Sequence, residues 1–156
     1  MHLSDHFTLE EAVHSQTAAR AGIDNEHPSS EVIIVATKTA KSMERVRALL
    51  QFPISVSSWI RCLALNRLLG SKDTSQHRSG EAVDFICPAY GTPVDICKMI
   101  IKYPELVSFD QLILEHTWVH ISFSADPSRK NRNQVLSLLE NGAYTSGLAD
   151  KKGKPL

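Results

Sequence analysis

The sequence contains no long apolar run and no excess of either charge. No stretch reaches the roughly 18 apolar residues of a membrane-spanning helix, and the first residues, Met1 to His6, lack the basic and apolar regions of a secretory signal peptide. Lys+Arg and Asp+Glu each number 17, so no net charge attracts nucleic acid or an anionic membrane surface. We therefore expect a protein made in the cytoplasm that binds neither nucleic acid nor membrane directly.

Cysteine is scarce, and internal repeats and low-complexity linkers are absent. The three cysteines, Cys62, Cys87 and Cys97, are odd in number and form no CxxC pair, so we expect reduced thiols and no disulfide framework. With 42% hydrophobic and 22% charged residues, the 156-residue chain has the composition of one soluble globular domain with its own core. We assign residues 1–146 to this domain and predict a flexible tail for 147–156, where glycine and lysine are frequent.

Apolar periodicity and turn residues predict an α+β protein with helices packed on a small, mostly antiparallel sheet. Thr8 with Glu11 predicts a helix start. From Ser30, apolar residues recur at spacings of three and four and predict the longest helix, which Pro53 ends. Residues 133–141 fit either a helix or a strand. The other predicted elements are strands at 54–57, 82–86, 111–115 and 118–123 and helices at 64–69 and 92–103.

Residues 75–84 carry the strongest chemical signal. His77 is followed seven positions later by Asp84, and Gly80 between them permits a turn that brings the next strand back toward the imidazole. An imidazole with a carboxylate suits zinc, and a carboxylate among apolar strand residues is costly to bury without a cation. Because a catalytic zinc site usually takes three protein ligands, we look for the third in residues 118–122.

The two strands at 111–115 and 118–123 are joined by very few residues, which predicts a hairpin. Side chains alternate between the faces of a strand, so His120 shares one face with Trp118 while the apolar residues between them share the other. If the apolar set faces the helices, His120 points to the open side of the sheet, where it can meet the first two candidate ligands. Glu115 ends the first strand of the hairpin, close to His120, and a carboxylate in that position can move a proton in metal-assisted hydrolysis.

The pattern Ser75-x-His77-x-x-Gly80-x-Ala82-x-Asp84, followed by Trp118-x-His120, resembles the zinc peptidases of the D-alanyl-D-alanine carboxypeptidase family. That family includes dipeptidases of the vancomycin-resistance type and phage endolysins, and it shares its fold with the hedgehog signalling domain. The likeness is greatest to a small phage or prophage branch and extends over almost the whole chain. Residues 3–12 and 17–23 are similar to the opening of that branch, and 58–66 to its Ser-Gly-Tyr-Arg-x-x-x-x-Asn segment, with Trp59 in place of glycine.

The resemblance implies a hedgehog/DD-peptidase-like α+β fold with one zinc ion in a cleft, held by His77, Asp84 and His120. It also implies that Arg61 anchors a carboxylate or carbonyl group of the substrate. Glu115 corresponds to the catalytic acid of the family by its position at the end of the strand before the last ligand, and His116 is the rival candidate for the general base. The candidate substrate-binding residues are Arg61, Ser75, Trp118 and His116.

The implied activity is zinc-dependent hydrolysis of peptide bonds in bacterial peptidoglycan stem peptides, either endolysin-like or D-Ala-D-Ala carboxypeptidase-like. The L-Ala/D-Glu bond, the D-Ala/diamino-acid cross-link and the terminal D-Ala/D-Ala bond all remain compatible, because specificity depends on the shape of the pocket. The lack of an export signal favours an endolysin that reaches the wall after release, or a virion component. The alternative is a non-catalytic zinc-containing binding or virion structural module of the same fold. In either case we expect a monomer.

Overall fold

A computed structural model describes all 156 residues and contains six helices and six strands. The helices dominate the first part of the chain and the strands the second, and the predicted α+β class is confirmed. The helices are α1 Leu9–Val13, α2 Gln16–Ala21, α3 Ser30–Leu50, α4 Leu63–Leu68, α5 Gln76–Ser79 and α6 Pro93–Lys102. The strands are β1 Ser55–Ser58, β2 Ala82–Ile86, β3 Gln111–Glu115, β4 Trp118–Ser122, β5 Gln134–Leu138 and β6 Tyr144–Ser146.

The helix boundaries follow local capping rules. The side chain of Thr8 accepts a hydrogen bond from the Glu11 amide and caps α1, as the sequence predicts. The long helix α3 begins after Ser29, which caps it in the same way, and it ends at Gln51 in the left-handed conformation, φ 63°, before Pro53. The N-terminal end of α6 carries a complete capping box. These boundaries depend on neighbouring residues, and this is why periodicity and capping residues predict them closely.

The six strands form one sheet in the order β1-β2-β4-β3-β5-β6. Every neighbouring pair is antiparallel except β3 and β5, which are parallel, so the sheet is mostly antiparallel as predicted. One face packs against α3 and α6 and forms the core. Burial of each large apolar side chain in such a core contributes about 1.5–3 kcal/mol. The buried residues of β2, β3 and β4 on this face are Val83, Phe85, Leu112, Leu114, Val119 and Ile121.

Residues 133–141, which fit either type of element, contain strand β5. The segment 147–156, for which the sequence predicts a flexible tail, begins with contacts to that strand. Gly147 donates a hydrogen bond to the Val135 carbonyl, and Ala149 is only 6% exposed. Glycines that suggest fraying instead form turns here, since Gly147 and Gly153 have φ of 81° and 89°.

None of the six helices combines the length and the hydropathy of a membrane-spanning segment. All three cysteines are free, and Cys87 and Cys97 are buried. The second face of the sheet carries the polar residues described next.

Candidate metal centre

The short helix α5 presents His77 to the open face of the sheet. The Ser75 hydroxyl accepts a hydrogen bond from the His77 amide at 3.2 Å and so caps the helix on which His77 lies. Gly80 ends the helix with φ 87°, a conformation that glycine adopts without strain. The chain then enters β2, so His77 and Asp84 lie on consecutive elements joined by one tight turn.

The register of the sheet brings Asp84 and His120 side by side. These two residues are directly paired across β2 and β4. His77 Nε2 lies 3.3 Å and His120 Nδ1 2.9 Å from the same oxygen, Oδ1 of Asp84. One ligand atom from each of the three residues lies within 4.8 Å of the others, so the group could hold a metal ion. The structure thus brings together the three residues that the sequence predicts as ligands.

The imidazole of His77 is oriented by a main-chain carbonyl. His77 Nδ1 lies 2.7 Å from the Trp59 oxygen, and because a carbonyl can only accept, Nδ1 carries the proton. The other nitrogen, Nε2, therefore has its lone pair free on the side that faces Asp84. Histidine ligands of metals characteristically donate their second N–H in this way. The donor set and its support fit a bound zinc ion.

The pKa shifts of His77 and Asp84 also favour the protonation states that bind a metal ion. Burial lowers the pKa of His77, which favours the neutral ring that binds metals. Burial alone would raise the pKa of Asp84, but the neighbouring His77 and His120 outweigh it and hold that pKa well below its usual range. The carboxyl group is therefore ionised near neutral pH, as a metal ligand must be.

Arg61 lies against this group and makes three hydrogen bonds within the protein. Its guanidinium donates to Ser58 Oγ at 3.0 Å, to Ser71 Oγ at 3.2 Å and to Asp84 Oδ2 at 3.3 Å. The side chain is 12% exposed and still lines the cleft. Arg61 therefore touches the second oxygen of Asp84 and the open space above it.

Glu115 lies at the end of β3, paired with Trp118 across the hairpin. Burial raises the pKa of Glu115, the negative charge of Asp84 adds to this rise, and His120 and Tyr144 act in the opposite direction. The Tyr144 hydroxyl donates a hydrogen bond to Glu115 Oε1 at 3.3 Å. Glu115 is thus a partly buried carboxyl group beside the candidate ligands, with a proton affinity above that of an ordinary glutamate.

The other candidate residues divide into two groups. Ser75 and Trp118 line the cleft. His116, in contrast, lies in the hairpin turn, is exposed and is not part of the cleft. The rival candidate for the general base therefore does not line the cleft that contains His77, Asp84 and His120.

A cleft of about 1320 Å³ contains the whole arrangement. Three features of the site were not predicted from the sequence. They are Trp59, which orients His77, Tyr144, which contacts Glu115, and a buried hydrogen-bond network centred on Asp110. That aspartate accepts a bidentate pair of hydrogen bonds from Arg132 and one from the Gln76 side chain, next to His77. The aspartate-arginine pair joins segments 22 residues apart, and no local pattern in the sequence indicates it.

Two imidazoles and one carboxylate in an open cleft are a ligand set typical of catalytic zinc sites. The family model described as Peptidase M15 matches residues 5–122, and the chain therefore belongs to the peptidase M15 family, a family of zinc-dependent metallopeptidases. The family predicted from the sequence motifs is confirmed. No curated protein matches the chain. All the candidate metal ligands lie inside the matched region, whereas residues 123–156 lie outside it.

Proposed function

We propose that this protein hydrolyses peptide bonds in peptidoglycan stem peptides, as an endolysin-like or D-Ala-D-Ala carboxypeptidase-like zinc enzyme. The observation that carries the proposal is that Glu115 and the metal group line one cleft in a member of the peptidase M15 family. The substrate is an extended peptide, and the cleft is open and lined mostly by polar side chains. Peptide backbones and carboxylates can form hydrogen bonds with such walls.

His77, Asp84 and His120 would hold a single zinc ion. When bound, zinc supplies Lewis acidity toward a carbonyl oxygen and lowers the pKa of water. Asp84 provides the negative charge of the ligand set, and the Trp59 carbonyl keeps the His77 ring in the orientation that binding requires. The remaining steps depend on side chains around this group.

Glu115 is the proton carrier in the proposed reaction. Its carboxylate takes the proton of the attacking water and delivers it to the leaving amine. A carboxyl group with a raised pKa suits this work, because the best catalytic pKa lies near the working pH. Exposed His116 lacks this contact with the cleft, which supports Glu115 as the base.

Arg61 anchors a carboxylate or carbonyl group of the substrate. A guanidinium has five N–H donors, and the three hydrogen bonds to Ser58, Ser71 and Asp84 leave two available in a side chain that lines the cleft. Its planar geometry suits bidentate capture of a carboxylate. Trp118 and Ser75 provide further walls for the peptide.

In this proposal the partner is the stem peptide, and the protein works as a monomer on the cell wall, either after release from the cytoplasm or as a virion component. Purified, zinc-loaded protein is incubated with muropeptides, with and without a chelator, and the products are weighed by mass spectrometry. We expect cleavage that the chelator abolishes and zinc restores. The fragment masses identify the bond and so separate endopeptidase from carboxypeptidase activity.

A matched variant, Glu115→Gln, is included in the same assay. It keeps the size of the side chain and removes the proton acceptor. If zinc-loaded wild-type protein gives no product from any wall type, the alternative function, a non-catalytic zinc-containing binding or virion structural module, replaces the peptidase.

A further inference from the structure

The cleft extends beyond the region that the family model matches. That region ends at residue 122. The following segment contributes four residues to the walls of the cleft: Arg129, Arg132, Leu136 and Tyr144. Of these four, only Tyr144 makes a hydrogen bond to a residue to which we assign a catalytic role.

Strand pairing explains how Tyr144 reaches the active centre. β5 runs parallel to β3, so the carboxyl-terminal ends of these two strands lie side by side at the same end of the sheet. Tyr144 begins β6 and pairs with Leu138, the last residue of β5, while Glu115 is the last residue of β3. The Tyr144 hydroxyl therefore reaches across the last residue of β5 to Glu115. Gly142, with φ 86°, forms the turn that returns the chain for this contact.

The charged and titratable groups around Glu115 are Asp84 on β2, His120 on β4 and Arg61, and the first two of these are candidate metal ligands. The Tyr144 hydroxyl adds an uncharged hydrogen-bond donor to the Glu115 carboxylate. Burial and the charge of Glu115 raise the pKa of Tyr144, so the phenol keeps its proton and stays a donor near neutral pH.

We propose that Tyr144 is a positioning residue for Glu115: its hydroxyl holds Oε1, so that Oε2 faces the cleft and exchanges the proton during hydrolysis. This inference rests on the proposed peptidase function. It gives the segment after the matched region a role in the reaction, because β6 has to be in register with β5 for the hydroxyl to reach the carboxylate.

The test compares Tyr144→Phe with wild type and with Tyr103→Phe, a control at a tyrosine outside the cleft. A donor stabilises the charged carboxylate, so its loss raises the pKa of Glu115. We expect the acidic limb of the kcat/KM profile to move up by about half to one pH unit and kcat at neutral pH to fall about tenfold in Tyr144→Phe. KM and zinc content should not change, and Tyr103→Phe should behave as wild type.

A second readout does not depend on turnover. The chemical shift of the Glu115 carboxyl carbon is followed by NMR as a function of pH in wild type and in Tyr144→Phe. We expect the pKa of Glu115 to be higher in the variant by the same amount as the acidic limb moves. An unchanged profile and an unchanged titration would overturn the inference while leaving the peptidase function intact. A raised KM with an unmoved acidic limb would also overturn it, because Tyr144 would then contact the substrate instead. A wild-type protein without hydrolysis refutes the peptidase function itself, and in that case the NMR titration shows separately whether the contact exists.

Discussion

The Trp59 indole donates a hydrogen bond to the main-chain oxygen of Gly80 at 2.9 Å, while the main-chain oxygen of Trp59 accepts one from His77 at 2.7 Å. One residue therefore holds both the candidate ligand and the turn that follows it. Trp59 is 1% exposed and packs edge to face on Phe7 with 6.1 Å between ring centroids. The metal group is thus supported directly by the hydrophobic core.

Gly80→Ala tests this turn. The φ of 87° is unfavourable for alanine, and an added Cβ would lie 3.1 Å from the Val32 carbonyl oxygen on α3. We expect the free energy of unfolding to fall by about 3 kcal/mol, because backbone strain and close contact act together. Urea unfolding of the metal-free protein measures the change.

Gly142→Ala is the matched control that measures the energetic cost of a positive φ without a close contact. Its φ is 86°, but nothing lies within 4 Å of the added Cβ, so only the conformational cost of about 1–2 kcal/mol is expected. Equal losses in the two variants would mean that the contact with α3 has no energetic weight.

Local rules account for the elements that the sequence predicts well. α6 begins at Pro93 after Thr92, whose side chain and that of Asp95 form the reciprocal cap. The hairpin of β3 and β4 follows from two strand patterns with a short connection, and alternation then predicts that His120 faces the open side. The metal group could be predicted because each of its residues lies on such an element.

Contacts between distant segments account for what was missed. The sequence shows Trp59 only as a substitution for glycine, and its role depends on burial against Phe7 and Gly80. β5 has a weak pattern because its residues do not alternate regularly between buried and exposed positions, and its parallel pairing with β3 is not local. Tyr144 has no function that can be inferred until both pairings are known.

Asp110 is expected to make stability depend on acid pH. The hydrogen bonds from Arg132 hold the pKa of this fully buried carboxyl at about 2, below its ordinary 3.8. The folded state thus binds the proton less tightly than the unfolded state, so the stabilisation is fully present above about pH 4 and is lost as the pH falls toward 2. We expect Asp110→Asn to lower the free energy of unfolding at pH 7 by about 2 kcal/mol.

The measurement is urea unfolding of both proteins at pH 7 and near pH 2.5. The difference between them should shrink at the lower pH. Asp73→Asn is the control, since its ion pair with Arg67 is 52% exposed on the aspartate side and is screened by solvent, so this substitution should change the stability little at either pH. A difference for Asp110→Asn that is independent of pH would refute the ionic origin of the effect.

Arg61→Lys separates substrate binding from support of Asp84. Lysine keeps the charge but cannot reproduce the planar fork that contacts Ser58, Ser71 and Asp84. If Arg61 anchors the substrate, KM for a stem peptide should rise about tenfold, the loss of one good charge-assisted contact. Steady-state kinetics at saturating zinc measures this. Loss of zinc at an unchanged KM would instead assign Arg61 to holding the carboxylate ligand.

His77→Ala and His120→Ala are expected to lose zinc. Each removes one of the two imidazoles that converge on Asp84 Oδ1. Zinc bound only to the folded state adds stability, so wild type should melt about 5–10 °C higher with saturating zinc than with chelator. Neither variant should show this difference. His116→Ala, whose side chain lies outside the cleft, is the control and should keep the full zinc-dependent shift.

Glu115→Gln is expected to keep zinc and lose most turnover. Glu115 belongs to none of the ligand contacts, so metal content and the zinc-dependent melting shift should match wild type. The amide cannot accept a proton, and kcat should fall by about 10²–10⁴, the usual contribution of a general base. Because the substitution changes neither size nor the metal group, a zinc-loaded variant with normal kcat would remove Glu115 from the mechanism. The proton would then have to be carried by another group in the cleft, and Tyr144 would have no catalytic carboxylate to position.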